Sequence, residues 1–397
     1  MARKCAKCGV VSEIEEAFQK SYYSDKIFYC PACREKDAIQ LGESYLIACI
    51  VVLIGGFVWV MANPQNEFAW LIFQAGLFLF FTAIVAIPHE LGHVLAAFAA
   101  RAKIFQVTIG LGRTLYKHDF LGIEWKFCAV PICGFVIPGI SSRNFYRTRS
   151  FLISLGGPLM NCFLGVAALI ALFHISSPWL AAVIRAFMAA NIFVLLYGLL
   201  PRKVNIGGRS TPSDGLTLLT IPFMSKLKIN QNIEAHYVWE GYDCSVRGRI
   251  EDARRSYEKG LACFPDSVAL KSRTGRLLLE LGNYVDARNM FVQLRKNTDL
   301  EPAMAIHLLN EIATADVMIG GNDLLEEADA FSKTACEKMP WQTEFKGTRG
   351  LVLAKKGHIE QGLALLKEAM DKAENSSDKA VYASYIAEFE HKKSNAV

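Results

Sequence analysis

Hydrophobic and polar positions divide the chain into three stretches of different texture. Residues 1–43 are polar and charged, residues 45–200 are dominated by long apolar runs, and residues 230–397 carry apolar stripes at helical spacing. Four runs reach the roughly 20 residues that a bilayer requires: 45–62, 68–100, 151–173 and 179–200. Gly55-Gly56 interrupts the first. The second is too long for one simple crossing and carries Pro88. One such run can be a buried core helix; four in succession read as membrane spans. The polar start predicts no cleavable leader.

Between 103 and 140 the helical period disappears. Residues 104–109, 114–120 and 123–130 alternate and are rich in β-branched and aromatic side chains, with Gly110, Gly112 and Gly122 as breaks. They predict a small sheet, with residues 133–136 dipping towards the second run.

Charge orients the spans. Residues 1–43 hold seven Lys or Arg and residues 101–150 hold eight, whereas the links 63–67 and 174–178 hold none. Positive flanks stay in the cytoplasm, so both termini and the 101–150 segment are expected there. The net charge of +5 is mild and scattered, and no basic patch is interleaved with aromatics, which excludes nucleic acid as a partner. The 11 cysteines are not the framework of a small secreted domain, so the soluble parts are expected in a reducing compartment.

The second run contains His89-Glu90-Leu91-Gly92-His93. On a helix, residues four apart share a face, so both imidazoles can reach one ion. Zinc is commonly held by two His and a carboxylate with a position left for water, and Glu90 beside that water can take its proton. Ionisable side chains inside an apolar span are costly and usually mark function. The spacing is that of a zinc hydrolase. A third, carboxylate ligand is required, and Asp119, Glu124 and Asp214 are the candidates. Thr211-Pro212-Ser213-Asp214-Gly215 is also an ordinary helix start.

Four motifs in order give a resemblance. His89-Glu90-Leu91-Gly92-His93, Val130-Pro131-Ile132-Cys133-Gly134-Phe135-Val136, Gly157-Pro158-Leu159-Met160-Asn161 and Asp214-Gly215 together resemble the site-2 protease family of intramembrane zinc metalloproteases over roughly residues 68–225. The resemblance implies a catalytic zinc on His89, His93 and Asp214, with Glu90 as general base. It also implies that Gly134, Phe135, Asn161 and Asn191 line the substrate. Gly198-Leu199-Leu200-Pro201 stands where the family often has Asn-Leu-Leu-Pro, and the gap from Pro201 to Asp214 is longer than usual.

Each end adds a module. Cys5-x-x-Cys8 and Cys30-x-x-Cys33 have the spacing of a zinc ribbon whose four thiolates close a structural site. Gly248, Ala253 and Tyr257 recur 34 residues later as Gly282, Ala287 and Phe291. That period, over about 233–370 with a capping helix near 376–392, resembles tetratricopeptide repeats, which stack into protein-binding solenoids.

The expected fold is mainly α, with three domains. Residues 1–43 form a zinc-ribbon-like domain. Residues 44–230 form a transmembrane metalloprotease helix bundle with a small β-hairpin or sheet on the cytoplasmic side. Residues 231–397 form an α-solenoid of tetratricopeptide-like repeats. The expected setting is multi-pass, in a bacterial cytoplasmic membrane. The expected activity is hydrolysis of membrane-anchored proteins with one catalytic and one structural Zn2+, and the repeats recruit cytoplasmic partners. The alternatives are a scaffold acting through its repeats, or a soluble zinc protease, which would not need four apolar spans.

Overall fold

A computed structural model describes the chain except residues 1–2, 15–17, 21–26, 207–208, 297–299, 374–375 and 395–397. It divides into two compact units, one of Met1–Arg34 with Gly241–Val397 and one of Glu35–Glu240.

At the N-terminus β1 (Arg3–Lys4) pairs antiparallel with β2 (Val11–Ser12), and β3 (Gln19–Lys20) with β4 (Phe28–Tyr29). The β1–β2 turn carries Cys5 and Cys8. Cys30 and Cys33 stand at the start of α1 (Pro31–Ala62). No proline interrupts the chain after Pro31 until the first apolar run ends, so α1 continues through position 43, where the sequence placed a domain border.

The second apolar run forms two helices, α2 (Glu67–Ile84) and α3 (Ala86–Ala99), parted at Val85. Asn66 caps α2 by accepting the Phe68 and Ala69 amides. Pro88 explains the break. It has no N–H to offer the Ile84 carbonyl, and it is tolerated in the first turn of a helix that restarts.

The expected hairpin or sheet forms as one long hairpin, β5 (Lys103–Phe120) with β6 (Ile123–Gly139). Gly110 and Gly112 do not end a strand. At φ +94° and +84° they sit among register shifts, where the bulged ladder bends without losing its partner.

α4 (Tyr146–Leu172) packs between α3 and α5 (Pro178–Leu199). A Cβ added to Gly92 or to Gly156 would lie 2.3 Å from the other's carbonyl oxygen. Small residues here let the α3 and α4 backbones touch. After α5 come the hairpin β7 (Lys203–Ile206) with β8 (Arg209–Pro212), then α6 (Asp214–Thr220), a turn at Ile221–Phe223, and α7 (Lys226–Val246). Among the described residues four helical stretches are long and apolar enough to cross a membrane: Pro31–Ala62, Glu67–Ala99, Tyr146–Leu172 and Pro178–Leu199. They show apolar side chains outward, among them Val51, Ile54, Phe163, Val166 and Leu196.

The remaining helices are α8 (Ile250–Cys263), α9 (Val268–Glu280), α10 (Tyr284–Arg295), α11 (Pro302–Ile319), α12 (Asn322–Lys338), α13 (Thr343–Lys355), α14 (Ile359–Lys372) and α15 (Ser376–Ser394). Each packs on its sequence neighbours. The repeat-defining Ala253, Tyr257, Ala287 and Phe291 are all buried. Each large residue fills a space left by a glycine on an earlier helix. A Cβ on Gly241 would meet the Tyr257 ring at 2.1 Å, and one on Gly275 would meet Phe291 at 2.5 Å. This small-to-large pairing recurs at the 34-residue period.

Candidate metal centre

His89 and His93 stand one helical turn apart on the buried face of α3. Their Nδ1 atoms are already engaged. His93 Nδ1 donates to the Ile153 carbonyl at 2.7 Å, with the Gly157 amide 3.3 Å away. His89 Nδ1 donates to Asn161 Oδ1 at 2.5 Å. The direction of that bond is fixed by a relay. Asn161 Nδ2 donates to Asn191 Oδ1 at 3.0 Å, and Asn191 Nδ2 donates to the Phe187 carbonyl at 2.9 Å. With every amide group in the relay assigned, the Asn161 oxygen must face the ring. In the neutral form of each ring, Nε2 then carries a bare lone pair.

Asp214 comes to these lone pairs from the start of α6. Ser213 caps that helix by accepting the Leu216 amide at 3.3 Å, and it also donates to the Leu200 carbonyl at 2.8 Å. The sequence offered helix start and ligand as competing readings of this segment. The structure assigns them to neighbouring residues, and capping by Ser213 leaves the Asp214 carboxylate free. Gly215 is needed for the approach, because a Cβ there would lie 1.8 Å from the Leu199 carbonyl oxygen. The long gap from Pro201 is taken up by the β7–β8 hairpin, which returns the chain to the end of α5, where the Ser213 amide bonds to the Arg202 carbonyl at 2.9 Å.

The resulting triangle can be tested for a cation. His89 Nε2 lies 3.1 Å from Asp214 Oδ2 and 3.2 Å from His93 Nε2, and His93 Nε2 lies 3.4 Å from Asp214 Oδ1. Donors held about 2.0 Å from a tetrahedral zinc are about 3.3 Å apart. Two imidazole lone pairs that close repel unless a cation lies between them. Gly157 borders the same space, where a Cβ would lie 2.4 Å from His93 Nε2 and 2.6 Å from His89 Nε2. An ionised Asp214 carboxylate has no hydrogen to share with either bare nitrogen, so these three donors call for a cation between them. These residues fit a zinc ion.

Glu90 is buried beside these candidate ligands and faces β6, since a Cβ on Gly134 would lie 2.6 Å from Glu90 Cγ. Phe135 follows it, paired with Thr108. The other two candidate carboxylates lie elsewhere. Glu124 is held by Lys117 and by Lys126 at 2.9 Å, and Asp119 pairs with Glu124 near the hairpin tip.

Asn161 and Asn191, expected to line the substrate, are fully buried behind His89. An amide in that place orients the ring. Ligand rings whose second nitrogen loses its partner typically bind metal about 10- to 100-fold more weakly. Asn161→Ala is therefore expected to lower zinc affinity by that factor, measured by chelator competition. Unchanged affinity would remove Asn161 from the site. Sequence reasoning missed the Ile153 carbonyl, which no side-chain motif could reveal. It quoted Gly157 and Gly215 without seeing what their missing Cβ atoms make room for.

At the other end of the chain, Cys5, Cys8, Cys30 and Cys33 form a second cluster. Their sulfurs lie within 4.8 Å of one another, and Cys8 Sγ is 3.7 Å from Cys30 Sγ. Thiolates about 2.3 Å from a tetrahedral zinc lie about 3.8 Å apart. This set also fits zinc.

The sequence model of Peptidase family M50 matches residues 76–380, well over half of the chain. The chain belongs to this family, that of the site-2 proteases. The match reaches beyond the 68–225 of the motifs and into the repeats. Several relatives are similar over shorter stretches of this M50 chain. A protein of Rhizobium meliloti named as a zinc metalloprotease is 29% identical over 158 residues, 33% of this chain and 42% of the relative. Another so named, from Ralstonia nicotianae, is 29% identical over 112 residues, 23% of this chain and 24% of the relative. The Regulator of sigma E protease of Haemophilus influenzae is 24% identical over 140 residues, 32% of this chain and 31% of the relative. The M50 chain thus spans less than half the length of these relatives. Among solved structures, the Cut9–Hcn1 hetero-tetramer of the APC/C aligns with a TM-score of 0.33 at 12% identity, over 86% of this chain and 52% of that one, too low to bear on the fold.

Proposed function

We propose that this chain is an intramembrane zinc metalloprotease that hydrolyses a peptide bond in membrane-anchored proteins. The observation that carries this reading is the convergence of two bare imidazole nitrogens and one carboxylate, within 4.8 Å of one another, at an apolar helix that also presents Glu90. Zinc held by His89, His93 and Asp214 would polarise the scissile carbonyl and acidify a water molecule. Glu90 takes the proton from the attacking water and passes it to the departing amide nitrogen. Its burial against Gly134 keeps bulk water from competing for that proton.

A transmembrane helix satisfies its own amides and carbonyls, so it must unwind before it can be cut. Among the described residues β6 pairs with β5 alone. Its other edge can take the unwound segment as an added strand, which would run past Gly134 and Phe135 beside Glu90. The four cysteines hold a structural zinc. The repeats recruit a substrate or regulator. The four apolar helices support an integral, multi-pass placement, which we assign to a bacterial cytoplasmic membrane, and the loop charges support cytoplasmic termini.

The test is cleavage of a single-span model protein by the purified chain in proteoliposomes. The expected result is a cut that stops when a chelator removes zinc and resumes when zinc is restored. A fully zinc-loaded chain that leaves every single-span protein whole would end the enzyme reading in favour of a scaffold.

A further inference from the structure

The N-terminal cysteine segment lies on the helical repeats inside one compact unit. Ser12 donates its hydroxyl to the Lys338 carbonyl at 2.6 Å and accepts the Ile14 amide at 3.2 Å. Lys338 is the last residue of α12, so Ser12 satisfies a carbonyl that the helix cannot. Glu13 pairs with the Lys338 ammonium. Ile14 is buried with Ala335, Met339 and Phe345, and Ile306 and Trp341 pack around them. Phe18 meets Trp341 edge to face, with ring centroids 5.8 Å apart. Phe18 also packs with Cys5, Cys30 and Cys33. Trp341 therefore belongs to two cores at once, that of the cysteine cluster and that of the repeats.

We propose that the four-cysteine site is a metal-dependent clasp, which while loaded holds Ser12, Glu13, Ile14 and Phe18 over an apolar surface on α11–α13 and which uncovers that surface when its metal is lost. The clasp side cannot hold itself. Its strands are two residues long, and such pairs need further support to persist in water. Crowded thiolates repel without a cation, so metal binding supplies the ordering free energy of small cysteine modules. The repeat side stands by itself. α12, α13 and α14 share a separate core of Ala328, Leu351, Val352, Leu363 and Leu366, which contains no clasp residue. The clasp can thus open while the repeats remain folded, which exposes Ile306, Met339, Trp341 and Phe345 to solvent.

The inference rests on reading the four cysteines as a metal site, and the test separates failure of that reading from failure of the clasp. Metal content and amide hydrogen exchange are measured on the full chain in detergent, for the wild type, Cys5→Ser/Cys8→Ser and Ile14→Asp. The cysteine variant is expected to lose one metal equivalent and to exchange about tenfold faster at residues 335–345, with residues 351–369 unchanged. Ile14→Asp is expected to speed exchange at 335–345 similarly while keeping its metal, because the buried charge breaks the contact and spares the ligands. Equal metal in wild type and cysteine variant would overturn the metal reading. Lost metal with unchanged exchange at 335–345 would overturn the clasp, as would an Ile14→Asp variant with wild-type protection. If the cysteine variant does not fold, titrating a chelator into the wild type gives the same comparison.

Discussion

Glu90→Gln is expected to abolish cleavage of a single-span substrate while leaving zinc in place. The two side chains have the same shape, so the amide would keep the packing against Gly134, where the backbone leaves no room for a larger group. His89, His93 and Asp214 form the cluster that could hold a metal ion, and Glu90 is outside it. Only the ability to accept and return a proton is lost. Positioned general bases contribute about 10²–10⁴-fold to a rate, and cleavage should fall by that factor or to background. Parallel assays of cleavage and zinc content decide it. Turnover within about threefold of wild type would show that another group moves the proton. Lost zinc would show that Glu90 supports the ligands instead.

Gly157→Ala should be as damaging through a different cause. The new methyl would lie 2.4 Å from His93 Nε2 and 2.6 Å from His89 Nε2, against the two nitrogens offered to the cation. Real carbon–nitrogen contacts do not become so short, so either the rings or α4 must move. Both imidazoles are tied from behind by Ile153 and Asn161, and Gly156 one residue away already touches Gly92. No cheap relaxation exists, and the methyl displaces the cation. The histidine-site zinc should be lost, with cleavage reduced at least about 100-fold, since a metal hydrolase without its metal lacks its Lewis acid. The fold should survive, because Ala is about 1 kcal/mol better than Gly inside a helix. Gly165→Ala is the control on the same helix. Its Cβ would find only ordinary contacts, at 3.7 Å from Ile192 and 3.8 Å from Asn191, so zinc and activity should be kept. Full zinc in Gly157→Ala would show that the cation binds outside this triangle.

Much of the architecture was legible because apolar periodicity is a local property. The four apolar stretches, the 34-residue repeat and the His-Glu-x-x-His spacing each follow from distances along the chain, and the structure places helices where they were expected. Legibility failed where a local signal had two possible outcomes. Gly110 and Gly112 read as strand ends, yet a bulge uses the same backbone freedom and only the partner strand decides between them. Pro88 marked a disturbance in the second span without saying whether the helix would kink or restart. In the structure it restarts.

The sequence by itself determined which chemistry is possible here. Two imidazoles one turn apart beside a carboxyl, and two Cys-x-x-Cys pairs, are fixed by residue identity and helical pitch. Only the tertiary structure decided which carboxylate completes the triangle, because Asp214 is 121 residues from His93 in the chain and its approach depends on the β7–β8 hairpin and the bare backbone of Gly215. It alone decided that Asn161 and Asn191 are buried behind His89, and that the cysteine segment rests on α12. In each case the reason is the same. Pitch and propensity act between near neighbours, whereas the meeting of distant segments is set by what their packed surfaces leave room for.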